Sequence, residues 1–440
     1  MVRSRKPHSK EAMPHNERDG RRFKPLKIAR SSNLPVVGRT RWLAHLQKAA
    51  VQLAPETNFP KLSAFFTDNL WPWIRDYLKG VFRQKFKPYP VYPKDDTGVY
   101  SLRAADAGDA VKLSIVGDWG TGTAEAYDVC QQMRAFEPDY TVHLGDVYYV
   151  GDETEVRENF LGVRVAGNPY TPVRFPPGRV GTFALPGNHE MYGGGRPYFT
   201  EVIGSRGCCE TGTGQKQRAS YFCLESDHWR ILGLDTGYNS VGLPFLGSIP
   251  GIRDISWVGA DCRLEGNLID WLRETVKPAS RRKATLLLSH HQYYSVYEQA
   301  YPKPAEQLKE FFGDQRVVWI WGHEHRLSIY DLYSPDKNVT CYGRCLGHGG
   351  MPVETESSGK KAPLAFQDPR GLDQATQYPI GDGSYAGWNG HVNVTLEGRV
   401  MTLTYVDLKG TVLFVEAFTG AQEGHVSQTT VSSPVLQPPA

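Results

Sequence analysis

No stretch of this chain approaches the roughly 18 uninterrupted apolar residues that a membrane-spanning helix requires, so the sequence reads against an integral membrane protein. Cysteine is scarce: 7 residues in 440, an odd number, with no Cys-x-x-Cys pair. That excludes a regular disulfide framework and fits mostly buried thiols in a reducing compartment. The adjacent Cys208 and Cys209, in a Gly-rich loop, read as loop filler rather than as a redox pair. An apolar export signal is missing as well. Arg21-Arg22-Phe23 is followed by PLKIARSSNLP, which is charged and broken by Pro, so a cytoplasmic location is expected. There is no internal repeat. With 40% apolar and 22% charged residues, collagen, coiled coil and wholesale disorder are excluded too.

What is present is a loop-rich globular composition, with 45 Gly and 30 Pro. At 440 residues the chain can form one large domain with appendages or two to three ordinary ones. The net charge of +3 conceals an asymmetry. Arg3, Arg5, Lys6, Lys10, Arg18, Arg21, Arg22, Lys24, Lys27 and Arg30 face only Glu11, Glu17 and Asp19, so the rest of the chain is mildly acidic. A basic arm can engage nucleic acid or an anionic membrane. Without aromatics spaced for base stacking, it gives no firm sign of nucleic acid, and residues 1–38 read as a solvated, disordered arm. Helices are expected over 40–53 and 60–83, the second with Phe66, Leu70, Ile74, Tyr77, Leu78 and Val81 near a 3.6-residue period. This aromatic, basic extension (39–96 with its Pro/Tyr-rich linker) has two readings, docking onto the next domain or lying on a membrane surface.

From about 110 the pattern alternates strands and helices. Strands are expected at 111–116, 140–144, 181–185, 230–235, 284–289 and 317–321, with helices at 124–136, 265–276 and 304–312. Their apolar runs lack clean alternation, which suggests sheets covered on both faces. Antiparallel strands are expected at 327–333, 339–345, 391–396, 400–406 and 411–418. The main domain is set at 110–420, with 421–440 as a disordered tail.

Five motifs follow these apolar runs: Gly117-Asp118-Trp119-Gly120, Gly145-Asp146-Val147-Tyr148-Tyr149, Gly187-Asn188-His189-Glu190, Ser289-His290-His291 and Gly322-His323-Glu324-His325. Loops beyond the carboxyl ends of strands are where layered α/β proteins build sites. The donors are Asp, Asn, Tyr and His with no Cys, a set suited to Fe, Zn or Mn. One ion takes four to six donors, so this many ligands imply two ions sharing a bridge, for which a carboxylate is apt. Each motif alone is weak; five in order are not.

Together they resemble the calcineurin-like metallophosphoesterase superfamily, and more narrowly its purple acid phosphatase branch, with Gly120 and Tyr149 at the positions that separate the two. The resemblance implies a four-layer α/β/β/α sandwich of two mixed sheets flanked by helices. It also implies dinuclear hydrolysis of small phosphate esters by a metal-bound hydroxide. Asp118, Tyr149 and His325 are then expected to hold a first metal, Fe(III) given the phenolate. Asp146 bridges, and Asn188, His290 and His323 hold a second, Fe(II), Zn or Mn. His189 faces the substrate and protonates the leaving group. Successive strand-end residues point opposite ways, so one of His290 and His291 reaches the metal; the resemblance selects His290. His291, Arg326 and His348 are further candidates for substrate contact. His143 reads as a packed strand histidine and Trp119 as a cleft wall. Gln292 stands where the branch has Pro, and Gln299-Ala300-Tyr301 where it has another substrate-facing His. The alternatives within this frame are a phosphodiesterase or nucleotide hydrolase, or a non-catalytic scaffold retaining the fold.

Overall fold

The computed structural model describes residues 88–434, apart from Tyr149 and residues 167–170, 242–260, 355–362, 369, 371–377, 380–384 and 422. The basic arm and the helices expected at 40–53 and 60–83 lie outside the described residues.

Two sheets form the centre. The first has eight strands, in spatial order Val99–Ser101, Phe222–Glu225, Trp229–Gly233, Ala284–Ser289, Arg316–Trp321, Thr340–Leu346, Leu327–Tyr333 and Leu364–Gln367. The second has seven, in order Val426–Ser432, Val412–Gly420, Val400–Asp407, Gly390–Glu397, Val111–Val116, Tyr140–His143 and Gly181–Ala184. Both are mixed. Three consecutive strands run parallel in the second sheet, Val111–Val116 with Tyr140–His143 and Gly181–Ala184, and four in the first, Trp229–Gly233 with Ala284–Ser289, Arg316–Trp321 and Thr340–Leu346.

The unbroken apolar runs now have a cause. Side chains alternate across a strand, and both faces of these strands are covered. Leu286, Leu288, Val318 and Ile320 face Leu113, Ile115, Val142, Val392 and Val394 of the other sheet. Their neighbours Leu287, Val317, Trp319 and Trp321 meet Leu268, Leu272, Leu308, Phe311 and Phe312 of the segments Gly266–Val276 and Lys303–Phe312. The outer face of the second sheet is covered by the helix Ala124–Ala135 through Ala126, Val129, Cys130 and Met133. Thr123 caps that helix, its hydroxyl accepting from Ala126 N–H at 3.2 Å. This is the four-layer α/β/β/α sandwich.

One buried ion pair joins the two sheets. Arg344 Nε donates to Glu416 Oε1 at 2.6 Å, and Tyr405 Oη and Gln428 Nε2 donate to the same carboxylate at 2.6 and 2.7 Å. Six of the seven cysteines are buried thiols, as the composition suggested. No helix among the described residues is long and apolar enough to cross a membrane.

Two expected boundaries are corrected. Residues 426–432, read as part of a disordered tail, form an edge strand on Val412–Gly420. Its Ser and Thr side chains face solvent, so burial leaves no apolar signature, while β-branched Thr and Val suit the edge. The domain also begins before 110. Linker residues Tyr89 and Tyr92 pack on Tyr221, with Tyr92 also on Trp271, and Val99–Ser101 adds a strand parallel to Phe222–Glu225.

Candidate metal centre

All five motifs follow the carboxyl ends of strands in the parallel parts of the two sheets, and their side chains converge. The turns are tight. Asp118, Asp146 and His323 each adopt positive φ (57°, 72° and 69°). For non-glycine residues this costs about 1–3 kcal/mol apiece and persists where the surroundings impose it, typically at functional sites. Gly187 is equally constrained: a Cβ there would stand 2.1 Å from Asp146 Oδ1 and 2.7 Å from His290 Cε1.

The donors fall into two groups that share Asp146. In the first, Tyr148 Oη donates to Asp118 Oδ1 at 2.7 Å and lies 3.1 Å from Asp146 Oδ2 and 3.0 Å from His325 Nε2. His325 Nε2 is 3.4 Å from Asp118 Oδ1. In the second, Asn188 Oδ1 lies 3.1 Å from His290 Nε2 and 2.9 Å from His323 Nδ1, and His290 Nε2 is 3.3 Å from Asp146 Oδ1. Donors bound at about 2.1 Å to one ion and at right angles to each other sit about 3 Å apart, so both groups have coordination spacing.

The chemistry of the second group also fits a cation. His290 Nδ1–H donates to the Leu144 carbonyl at 2.9 Å, which leaves Nε2 of the neutral ring as a lone pair. That lone pair faces the Asn188 and Asp146 oxygens, which are acceptors too. Asn188 Nδ2 donates to Tyr192 Oη at 2.9 Å, fixing the amide with its oxygen inward. Acceptors turned on one another at this distance repel unless positive charge lies between them. Burial disfavours a charged His290, yet Asp146, Asp118 and Glu190 hold its pKa up to about 9. Burial, and then the Asp146 charge, push the Asp118 carboxyl well above its ordinary range. Both shifts express the same demand for a cation.

Residues 111–327 match the model of calcineurin-like phosphoesterases. Residues 111–327 belong to the calcineurin-like phosphoesterase family. A search of curated proteins finds no match. Among solved structures, GAP50, the anchor in the inner membrane complex of Plasmodium, is 15% identical, covers 70% of this chain and 88% of its own, and has a TM-score of 0.42. Purple acid phosphatase PPD1 from yellow lupin (Lupinus luteus) seeds is 13% identical, with 76% of this chain and 58% of that chain covered and a TM-score of 0.43. PhoD is also 13% identical, covering 76% and 74% at a TM-score of 0.41.

Within the phosphoesterase domain, Asp118, Asp146, Asn188, His290, His323 and His325 are thus brought together as the motifs implied. Tyr149 lies outside the described residues; the phenol that the structure places in the first group is that of Tyr148. Glu190, quoted in its motif but given no role, accepts from the backbone N–H groups of Gly187 (2.6 Å), Asp146 (3.2 Å) and Val147. It fastens the second motif to the third.

His189 is beside the cluster, its Nε2 3.8 Å from Asp146 Oδ2 and its ring 4.3 Å from that of Tyr148. His291 lies with the second group, a ligand nitrogen of its ring within 4.8 Å of those of His290 and His323, so the strand end does not turn it away as expected. Its N–H donates to Thr236 Oγ1 at 3.0 Å, and its ring lies 4.6 Å from that of His323. Trp119 is fully buried against Phe160 and Phe175, a core residue rather than a cleft wall. His143 packs on the same two rings, as read from its strand. Arg326 and His348 do not join the cluster. The Arg326 guanidinium pairs with Glu354 and lies 3.8 Å over the Tyr297 ring. His348 is turned into the second sheet beside Gly390, where burial lowers its pKa to about 4. Its Gly-rich loop instead backs the first motif: Gly349 N–H donates to the Gly117 carbonyl at 3.0 Å.

Proposed function

We propose that the protein hydrolyses small phosphate esters with two metal ions held by these two groups. The observation that supports this most directly is the pair of four-donor clusters, at coordination spacing, that share the two oxygens of Asp146. Asp118, Asp146, His325 and a phenol would hold the first ion; Asp146, Asn188, His290 and His323 the second. The phenol favours Fe(III) at the first position, with Fe(II), Zn or Mn at the second. When bound, such ions supply positive charge to the phosphoryl oxygens and lower the pKa of water.

The chain's own residues do the rest. Glu190 holds the Asp146 and Asn188 turns in register. Leu144 O and Tyr192 Oη set the tautomer of His290 and the flip of Asn188, so that lone pairs face inward. His189, 7% exposed and next to Asp146, is placed to hold a proton at Nε2 and deliver it to the leaving oxygen.

The test is turnover of p-nitrophenyl phosphate and bis-p-nitrophenyl phosphate by metal-reconstituted protein. Hydrolysis of at least one supports the proposal, and their ratio reports monoester against diester preference. No turnover of either by protein carrying both metals refutes it and leaves a scaffold that retains the fold.

A further inference from the structure

Linker residues 91–97 and the segment Gly266–Val276 enclose an open groove of about 470 Å³. Its walls are pinned to each other. Tyr92 Oη donates to the Tyr221 carbonyl, and Trp271 Nε1 donates to the Thr97 carbonyl at 2.7 Å. The Tyr92 ring stands edge-on to Tyr221 at 5.3 Å and lies 6.2 Å from Trp271, so part of the lining is aromatic. Val91, which also lines the groove, is 44% exposed, and few large hydrophobic side chains among the described residues are so open to water. The rest of the lining is acidic. Asp270 and Glu274 lie one turn apart and exposed, Asp96 belongs to the linker, and Lys94 is the single cation among the lining residues. Arg273 is divided between Asp270 and Glu310, at 2.9 Å from each, and Glu274 pairs with no cation among the described residues.

We infer that this groove receives residues 70–87 of the same chain, apolar side chains against the aromatic lining and basic ones against the carboxylates. The segment is at hand. The described residues begin at Pro88, and Val91 already lines the groove. Its composition suits both parts of the lining. Leu70, Ile74, Tyr77, Leu78 and Val81 recur near a helical period, and Lys79, Arg83, Lys85 and Lys87 follow with no acidic residue from 77 to 87. Residues 84–87 have the length of a turn, enough to reverse the chain onto the groove. A tether this short holds the segment at a local concentration on the order of 1 mM, so weak contacts suffice to seat it. Of the two readings of the extension, docking thus has a complementary surface in the domain itself. The phosphoesterase reading is independent of it, since neither groove nor segment includes a donor of the metal groups.

The experiment treats the full chain with a carbodiimide, which couples an amine to a carboxylate only where the two touch. An equal mixture of isotope-labelled and unlabelled protein is used, and peptide mass spectrometry reads the products. Links from Lys79 or Lys85 to Asp270 or Glu274, formed within one chain, are the expected result. Trypsin supplies the second readout. Cleavage after Lys79 and Arg83 is expected to be roughly tenfold faster in Asp270→Lys/Glu274→Lys than in wild type, at unchanged metal content. That is the factor by which a local concentration of ~1 mM exceeds a contact of ~0.1 mM affinity. Both substitutions fall on exposed side chains, so the fold is expected to hold, as read from an unchanged thermal midpoint. Absence of these links, or equal cleavage rates in the two proteins, overturns the docking. Links found only between labelled and unlabelled chains overturn it as well and place the segment on a second copy. Cleavage that slows only on anionic phospholipid vesicles, and equally in both proteins, overturns it in favour of a membrane surface.

Discussion

Removing the Tyr148 hydroxyl separates its two possible roles, because Tyr148→Phe keeps the ring that packs on His189. If the phenol is a ligand of Fe(III), iron-loaded protein shows a visible charge-transfer band, and Tyr148→Phe loses it while Tyr149→Phe retains it. Absorption spectra of the three proteins check this; a colourless iron-loaded wild type points to Zn or Mn instead. His189→Ala leaves all donors of both groups in place. It is expected to lower kcat by roughly 10²–10⁴-fold, the usual worth of a general acid, at unchanged metal content. Residue-level reading of the sequence found six of the clustered donors because Asp, Asn and His after a β-like run have few other uses in such number. It named Tyr149 through the resemblance; that residue lies outside the described ones, and the phenol found among the donors is that of its neighbour Tyr148. It assigned Arg326 and His348 to the substrate because proximity in sequence says nothing of where a long side chain or a loop turns. Glu354 and the second sheet claim them instead.

Elements were legible in proportion to their burial. Ala284–Ser289 and Leu327–Tyr333 were read to the residue, because a strand covered on both faces is written as an apolar run. Val426–Ser432 was not, because most of its side chains face solvent and an edge strand makes no such demand on sequence. The short helices Glu153–Asn159 and Asn188–Tyr192 also escaped, being too brief for a helical period to show. The second of these matters to function. Its Glu190 reaches back to the Asp146 turn, so two motifs are aligned by one carboxylate and three backbone N–H groups. Glu190→Ala leaves those donors buried and unpaired, at about 1–3 kcal/mol each. Lower thermal stability and fewer than two metals per chain are expected together, as read by calorimetry and metal analysis. Loss of stability with full metal content would show that Glu190 does not align the site.

At the scale of the whole molecule, the two sheets meet mainly through apolar contacts, with Arg344 and Glu416 as a fully buried pair between them. Breaking one side of such a pair costs about 3–5 kcal/mol, whereas replacing both by apolar groups is often neutral. Arg344→Met is therefore expected to lower stability sharply and Arg344→Met/Glu416→Leu much less, as read from urea unfolding midpoints. Acid acts on the same fold through three fully buried histidines, His143, His348 and His391. Burial lowers the pKa of His143 to about 3, of His348 to about 4 and of His391 to about 3, against an ordinary 6.5. Above pH 6.5 they are neutral in both folded and unfolded chains and contribute no pH dependence. Below it the unfolded chain binds protons that the folded one refuses, so stability falls as pH falls, by up to about 1.4 kcal/mol per pH unit for each histidine. Urea midpoints should drop between pH 7 and pH 5, and less steeply in His391→Asn.

The central claim is a pair of metal ions bridged by Asp146. Metal content per chain, measured by elemental analysis after reconstitution and desalting, tests it directly in wild type and in Asp146→Ala. Two metals in the wild type, falling to one or none when the shared carboxylate is removed, is the expected result. One metal or fewer in the wild type, or two retained in Asp146→Ala, contradicts it.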